Sequence, residues 1–206
     1  TVQTILVRGG DQDNDIDLGD RLGMGGVEVS VFTSLSGVTL KGGNGNDTIT
    51  GTIDFADLID GGHGEDVITV GTAGVTVDGG DGDDTLKGLR DNDTLNGGAG
   101  NDWLDGGTQD DRISGWTGDD YLYGRSGNDI LVGGEGHDSL YGATGDDILQ
   151  GDDGKSDTDH ARDDDRLDGG TGGDTVRGGG GSDTVLDDSS EVDDLFTYWA
   201  EWVDAV

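Results

Sequence analysis

The sequence predicts an all-β fold, a solenoid of short parallel strands joined by Gly-rich turns, and three observations carry that prediction. From Gly79 to Gln150 the chain reads without a gap in nines: GGDGDDTLK, GLRDNDTLN, GGAGNDWLD, GGTQDDRIS, GWTGDDYLY, GRSGNDILV, GGEGHDSLY, GATGDDILQ. Each unit favours Gly at positions 1, 2 and 4, Asp at position 6 and an aliphatic residue at position 8. The composition leaves little for an ordinary core, with hydrophobic residues at 30%, 44 Gly, and neither Pro nor Cys.

An aliphatic side chain at every ninth residue cannot form a helical stripe. A tail such as Thr85-Leu86-Lys87 reads instead as a three-residue strand with one inward side chain. A six-residue turn and a three-residue strand, taken twice, make one coil of 18 residues. Stacked coils place Leu86, Leu104, Leu122 and Leu140 in one inward row and Leu95, Ile113, Leu131 and Leu149 in the opposite row. A flexible Gly-rich linker would not keep an aliphatic residue at that spacing.

Along the chain, residues 1–41 show alternation at Val27, Val29 and Val31, and GGDQDNDID at Gly9 looks like a worn repeat with Asn14 at position 6. They are expected to form degenerate coils and an N-terminal cap, with a separate small domain as the alternative. The repeats run over 42–186. GGNGNDTIT at Gly42 and GGHGEDVIT at Gly61 are offset by 19 residues, which implies one inserted residue in GTIDFADLID. Gly151 and Gly169 are 18 residues apart, two periods, so the register is expected to stay in phase through the charged excursion at 152–164. That excursion reads as a solvated loop or as an extra acid-built cation site, with zinc at His160 disfavoured. Over 187–206, Ser190 and Asp193 form an N-cap signature. Val192, Leu195, Phe196, Trp199, Trp202, Val203 and Val206 follow at helical spacing, predicting a C-terminal capping helix. The first residues, TVQTILVRGG, carry neither Met nor a basic-then-apolar leader, and the sequence is read as a fragment or a processed product.

Charge narrows the function. With 46 Asp+Glu against 11 Lys+Arg the net charge is -35. Such a chain repels nucleic acid and anionic membranes, attracts cations, and on its own is expected to stay disordered. No apolar run approaches the ~18 residues of a membrane span. Without Cys there is no disulfide framework and no thiolate metal site. HExxH and GxSxG are absent, and His63, His137 and His160 are scattered, so the chain is expected not to be an enzyme.

The Asp residues themselves ask for a metal. Asp47, Asp66, Asp84, Asp102, Asp120 and Asp138 fall on one side of the predicted coils. Strands stack at about 4.8 Å, and carboxylates that close cannot all stay ionised without a cation between them. Carboxylate and Gly-turn carbonyl oxygens suit Ca²⁺ better than Zn²⁺ or Mg²⁺. This first column is expected to break where Ser156 takes the Asp position and to resume at Asp174. The second column runs Asp93, Asp111, Asp129, Asp147, Asp165, Asp183, with Val75 in the coil before. Its turns GLRDND and GGTQDD lack Gly at position 4 and HARDDD has no Gly at all, so weaker or missing ions are expected at its two ends, and its best site between Asp129 and Asp147.

The pattern GGxGxDxUx over Gly42–Leu186 closely resembles the RTX nonapeptide repeat of secreted bacterial proteins. The resemblance implies a right-handed parallel β-roll that binds several Ca²⁺ ions. Each ion would lie between two turns, held by position-6 Asp side chains and by turn carbonyls. Beside the Asp columns, the turn glycines carried over are Gly43, Gly45, Gly62, Gly64, Gly80, Gly82, Gly98, Gly100, Gly118, Gly127, Gly134, Gly136, Gly145, Gly172 and Gly181. It further implies a module of a secreted or cell-surface protein that folds outside the cell, with the type I secretion machinery as a partner and Val185–Val206 as part of a secretion signal. A catalytic domain upstream is a feature of many such proteins. A site at ten times its Kd contributes about 1.4 kcal/mol. Roughly seven such sites would approach about 10 kcal/mol, a whole domain's net stability.

Trp103, Tyr121, Tyr123 and Tyr141 fall on one outer face of neighbouring coils. They read as a cross-strand ladder that stabilises the sheet. The alternative is a binding or adhesion surface for a glycan or protein partner.

Overall fold

The computed structural model describes residues 6–8, 15–17, 39–50, 58–71, 74–152 and 163–186. Among them the chain is entirely β, as the period demands, with eighteen short strands and no helix. The strands are β1 (Leu6–Arg8), β2 (Asp15–Asp17), β3 (Thr39–Asn44), β4 (Thr48–Thr50), β5 (Leu58–His63) and β6 (Val67–Thr69). There follow β7 (Thr76–Asp81), β8 (Thr85–Lys87), β9 (Thr94–Ala99), β10 (Trp103–Thr108), β11 (Arg112–Thr117) and β12 (Tyr121–Ser126). The last six are β13 (Ile130–Glu135), β14 (Ser139–Thr144), β15 (Ile148–Gln150), β16 (Arg166–Thr171), β17 (Thr175–Arg177) and β18 (Thr184–Leu186).

Odd-numbered strands form one nine-stranded sheet and even-numbered strands the other, each strand pairing with the next but one. All pairings are parallel; Trp103 lies beside Thr85 on one side and Tyr121 on the other. The result is a flattened parallel solenoid with the chain passing from sheet to sheet at every turn.

Both inward rows are present. Leu86, Leu104, Leu122 and Leu140 have no exposed surface, nor have Leu95, Leu131 and Leu149 opposite them, and Ile113 is 2% exposed. Ile49, Ile59, Ile68, Val77 and Leu167 extend the rows in both directions. The core is thus one aliphatic side chain deep from each sheet.

Many strands are longer than the three residues expected and run six residues into the glycines, as in TLNGGA of β9. The alternation explains this. Position 8 faces in, position 9 out, and position 1 in again, so Gly97 is buried behind Leu95.

At the N-terminal end, β1 pairs with β3 and β2 with β4, so the described part of residues 1–41 adds one strand to each sheet. The helix expected over 187–206 lies outside the described residues, as do 153–162 of the charged excursion.

Candidate metal centre

Each turn is shaped by glycines with two distinct jobs. Positions 2 and 4 require the left-handed half of backbone space, where L-residues are strained. Gly98 and Gly100 have φ of 116° and 133°. Every turn glycine named from the sequence has positive φ, from Gly43 to Gly181. Position 1 is different. Its backbone is ordinary, but a Cβ on Gly97 would collide with Asp102 Oδ2 and press on the Gly115 carbonyl of the next coil. Gly61, Gly79, Gly88, Gly133 and Gly142 repeat that relation with their own position-6 Asp and the carbonyl one coil on.

Position 6 carries the central feature. The Asp side chain turns inward beside the position-8 aliphatic, and Oδ1 accepts the backbone N–H of the position-6 residue one coil earlier. In the first column Asp66 N–H donates to Asp84 at 2.7 Å, Asp84 to Asp102 at 2.8 Å, Asp102 to Asp120 at 2.8 Å and Asp120 to Asp138 at 2.9 Å. In the second, Asp93 donates to Asp111, Asp111 to Asp129 and Asp129 to Asp147 at 2.7–2.8 Å. Val75, which holds the Asp position at the head of this column, still donates its N–H to Asp93 at 2.9 Å.

Oδ2 has the opposite fate. In Asp66, Asp84, Asp93, Asp102, Asp111, Asp120, Asp129, Asp138, Asp147 and Asp165 it is buried with no hydrogen-bond donor. These carboxyl groups are at most 2% exposed. A lone buried carboxylate oxygen beside a backbone carbonyl is a place for a cation, since neither oxygen offers a proton to the other. Among the described residues no three Asp, Glu or His side chains converge on one point. An ion here would draw on one or two carboxylates and on turn carbonyls, a hard, all-oxygen donor set that suits Ca²⁺.

Burial, opposed by the amide hydrogen bond to Oδ1, raises these acids far above the ordinary 3.8. Asp84, Asp111 and Asp138 are pushed up to about 7, and Asp120 and Asp165 to about 8. Like-charged neighbours, within the column for Asp84, Asp111, Asp120 and Asp165, add to the rise. A carboxyl whose folded pKa is raised stabilises the fold below its unfolded value and loses that contribution as pH climbs through the folded one. In excess chelator, strand ellipticity is thus expected to grow on acidification from about pH 8 to about pH 5, the window set by these shifts. Unchanged ellipticity across that window would contradict the burial described here.

The register corrects the expected columns beyond Asp147. β14 pairs with β16 and β15 with β17 across a 27-residue interval, against 18 elsewhere among the repeats from β5 to β15. Asp138 N–H donates to Asp165 and Asp165 N–H to Asp183, so both belong to the first column rather than the second. Asp147 N–H donates to Asp174, which belongs to the second rather than the first. No break falls at Ser156. The turn is Gly151-Asp152, then Asp163-Asp164-Asp165, with residues 153–162 between them where other turns have a single position-3 residue. The excess is nine residues, one whole period, so counting along the sequence does not reveal it.

A second ladder lies outside the first and was not anticipated. Position-5 side chains accept the N–H of position 5 one coil later: Asp83 from Asn101 at 2.7 Å, Asn101 from Asp119 at 2.8 Å, and Asp119 from His137 at 2.9 Å. Asp110, Asn128 and Asp146 continue it in the second column. Its polarity is opposite to that of position 6. The signal was the Asn or Asp that fills position 5 in most turns, as in GGAGND and GATGDD.

On the outer face of the even-numbered sheet, Tyr123 stacks on Tyr141 with centroids 4.9 Å apart, and Trp103 meets Tyr123 at 5.5 Å. Tyr121 is half exposed and stands outside this stack of Trp103, Tyr123 and Tyr141. Lys87 lies over Trp103, Arg125 over Tyr123 and Arg166 over Tyr141.

No curated protein matches the sequence. The family model of the RTX calcium-binding nonapeptide repeat, four copies long, matches residues 42–73, 78–113, 97–131, 123–155 and 162–186. Those segments cover well over half of the chain and coincide with the paired coils and both Asp columns. With its period, its parallel coils and its rows of inward carboxylates accounted for, the chain belongs to the RTX calcium-binding nonapeptide-repeat family.

Proposed function

We propose that this chain is a non-catalytic structural module that folds on binding several Ca²⁺ ions, in a bacterial protein that works outside the cell or on its surface. The observation that carries this reading is the pair of columns of buried Asp Oδ2 atoms without donors. An ion between successive turns satisfies them and offsets the charge of -35 that otherwise opposes compaction. Extracellular calcium modules work at Kd values of about 10⁻⁴–10⁻³ M. At the far lower calcium level inside a cell such sites would be empty and the chain unfolded, the state suited to passage through the type I secretion machinery. Outside, the same chain would fold. Circular dichroism during a calcium titration tests this: a disordered spectrum in chelator at neutral pH should give way to strand near millimolar calcium. A full strand signal in excess chelator would overturn it.

The outer aromatic row supports a stabilising role first, because the Trp103, Tyr123 and Tyr141 rings are engaged with one another and with Lys87, Arg125 and Arg166. Tyr123→Thr removes two ring contacts and is expected to cost about 1–3 kcal/mol in calcium-saturated thermal unfolding. Tyr121, 50% exposed, favours a second reading in which this face docks a glycan or protein. Tyr121→Thr should leave stability within about 0.5 kcal/mol. Only that second reading expects it to lower retention on a glycan array or by a protein partner.

A further inference from the structure

Six non-Gly residues among the described ones have positive φ, and they are unevenly shared. Leu89, Asp91, Gln109, Arg125 and Ala143 belong to turns of the second column, and only Trp116 to the first. All six occupy position 2 or 4, where the other described turns have Gly, apart from the first-column turn of Gly151, which has Asp152 and Asp163 there. Their φ angles lie between 65° and 82°, whereas the positive-φ glycines range from 89° to 148° with no overlap. A Cβ thus holds these turns at a different backbone angle, which redirects the adjoining carbonyls, and it keeps the residue in a region that L-side chains occupy only under strain. The turn Gly88–Asp93 departs furthest, with Leu89 at 71° and Asp91 at 65°, and Arg90 N–H folds back to the Gly88 carbonyl at 3.1 Å.

The first column contrasts with this. Its turns around Asp66, Asp84, Asp102 and Asp138 have Gly at both positions, with φ from 110° to 137°. The Oδ1 ladders do not differ in this way: the first is continuous from Asp47 to Asp183 and the second from Val75 to Asp174.

We propose that the two columns load with calcium in sequence: the first column, with one non-Gly residue at positive φ against five, at lower calcium, and the second column, held back by the side chains of Leu89, Asp91 and Gln109, at higher calcium. The inference rests on the calcium reading above and adds an order of filling and the residues that set it. The chain would respond to calcium in two stages, first clamped along one edge of the solenoid and then along both. A first-stage coil keeps its aliphatic pair and one closed turn while the other turn still opens. The transition thus spreads over a wider calcium range than a single cooperative step.

Amide hydrogen exchange followed by nuclear magnetic resonance at stepped calcium concentrations reads the two ladders separately. Asp84, Asp102 and Asp120 N–H report the first column, and Asp93, Asp111 and Asp129 N–H the second, each being the donor to an Asp Oδ1 one coil on. The expected protection midpoints are about tenfold apart, the ratio that about 1.4 kcal/mol of retained strain per site produces. The triple variant L89G/D91G/Q109G should bring the second midpoint down to the first. Ala143→Gly, the loss of one methyl group, should shift it part of the way at the Asp129–Asp147 turns and serves if the triple variant folds poorly. A single shared midpoint in the parent chain, or a second midpoint that neither glycine variant moves, overturns the inference while leaving calcium binding intact. Absence of calcium-dependent protection in either ladder overturns the calcium reading itself.

Discussion

Asp120→Asn is expected to destabilise the calcium-loaded protein by about 3 kcal/mol and to have no such effect in chelator, where its strand content should equal or exceed the parent's at pH 8. Asp120 has no exposed surface, and burial with its column neighbours Asp138 and Asp102 pushes its pKa up to about 8. Its Oδ1 accepts the Asp102 N–H at 2.8 Å, and Asn retains an oxygen for that bond. What Asn removes is the negative charge on Oδ2, which faces Gly115 and the Gly133 carbonyl. With calcium present, the gaps on both sides of Asp120 lose a charged ligand, and two sites at about 1.4 kcal/mol each give the expected loss. Without calcium, the amide NH₂ supplies a donor beside that carbonyl and no charge is buried. Unfolding in guanidinium chloride with saturating calcium, paired with circular dichroism in chelator, measures both arms. An equal loss in both would mean that the carboxylate acts by its hydrogen bond alone.

Gly97→Ala should be at least as damaging, at about 3 kcal/mol or more, although it adds one methyl group and needs no unusual backbone angle. The added Cβ would collide with Asp102 Oδ2 and press on the Gly115 carbonyl. One of these is the candidate ligand of its own turn, and the other is main chain that is held in the next coil by the sheet ladder. Relief requires the carboxylate to swing away or the coils to separate, and either abolishes the oxygen pair that an ion would bridge. The calcium midpoint should therefore rise together with the loss of denaturant resistance. Ala99→Ser, exposed and two residues on, is the control and should stay within about 0.5 kcal/mol. A Gly97→Ala protein with parental stability and calcium midpoint would show that position 1 does not make room for the site.

How far these features were legible in the sequence depended on how locally each was encoded. The inward rows could be read because position 8 recurs at a fixed interval and only one side chain per unit is aliphatic, as with Leu104 and Leu122. The left-handed glycines could be read because no other residue adopts that geometry cheaply. The hydrogen-bond roles were not legible. Nothing in the order of residues says that Asp102 accepts from Asp84 N–H while Asn101 accepts from Asp119 N–H in the opposite sense. That choice depends on which way each side chain leans between stacked coils. Nor did the motif show that Leu89 and Trp116 would enter the glycine positions of their turns at positive φ rather than reshape the coil.

By itself the sequence determined the period, the parallel all-β architecture, the residues that face inward and the acidic columns that call for a hard cation, because each follows from repetition at the scale of one turn. Only the tertiary structure decided which Asp residues share a column beyond Asp147. A nine-residue excess in one turn equals one repeat, so Asp165 keeps its place in the count and changes sides in space. The physical reason is that strand pairing, not sequence distance, sets the register. Leu167 stacks on Leu140 because the aliphatic row and the backbone ladder continue there, whatever the number of residues between them.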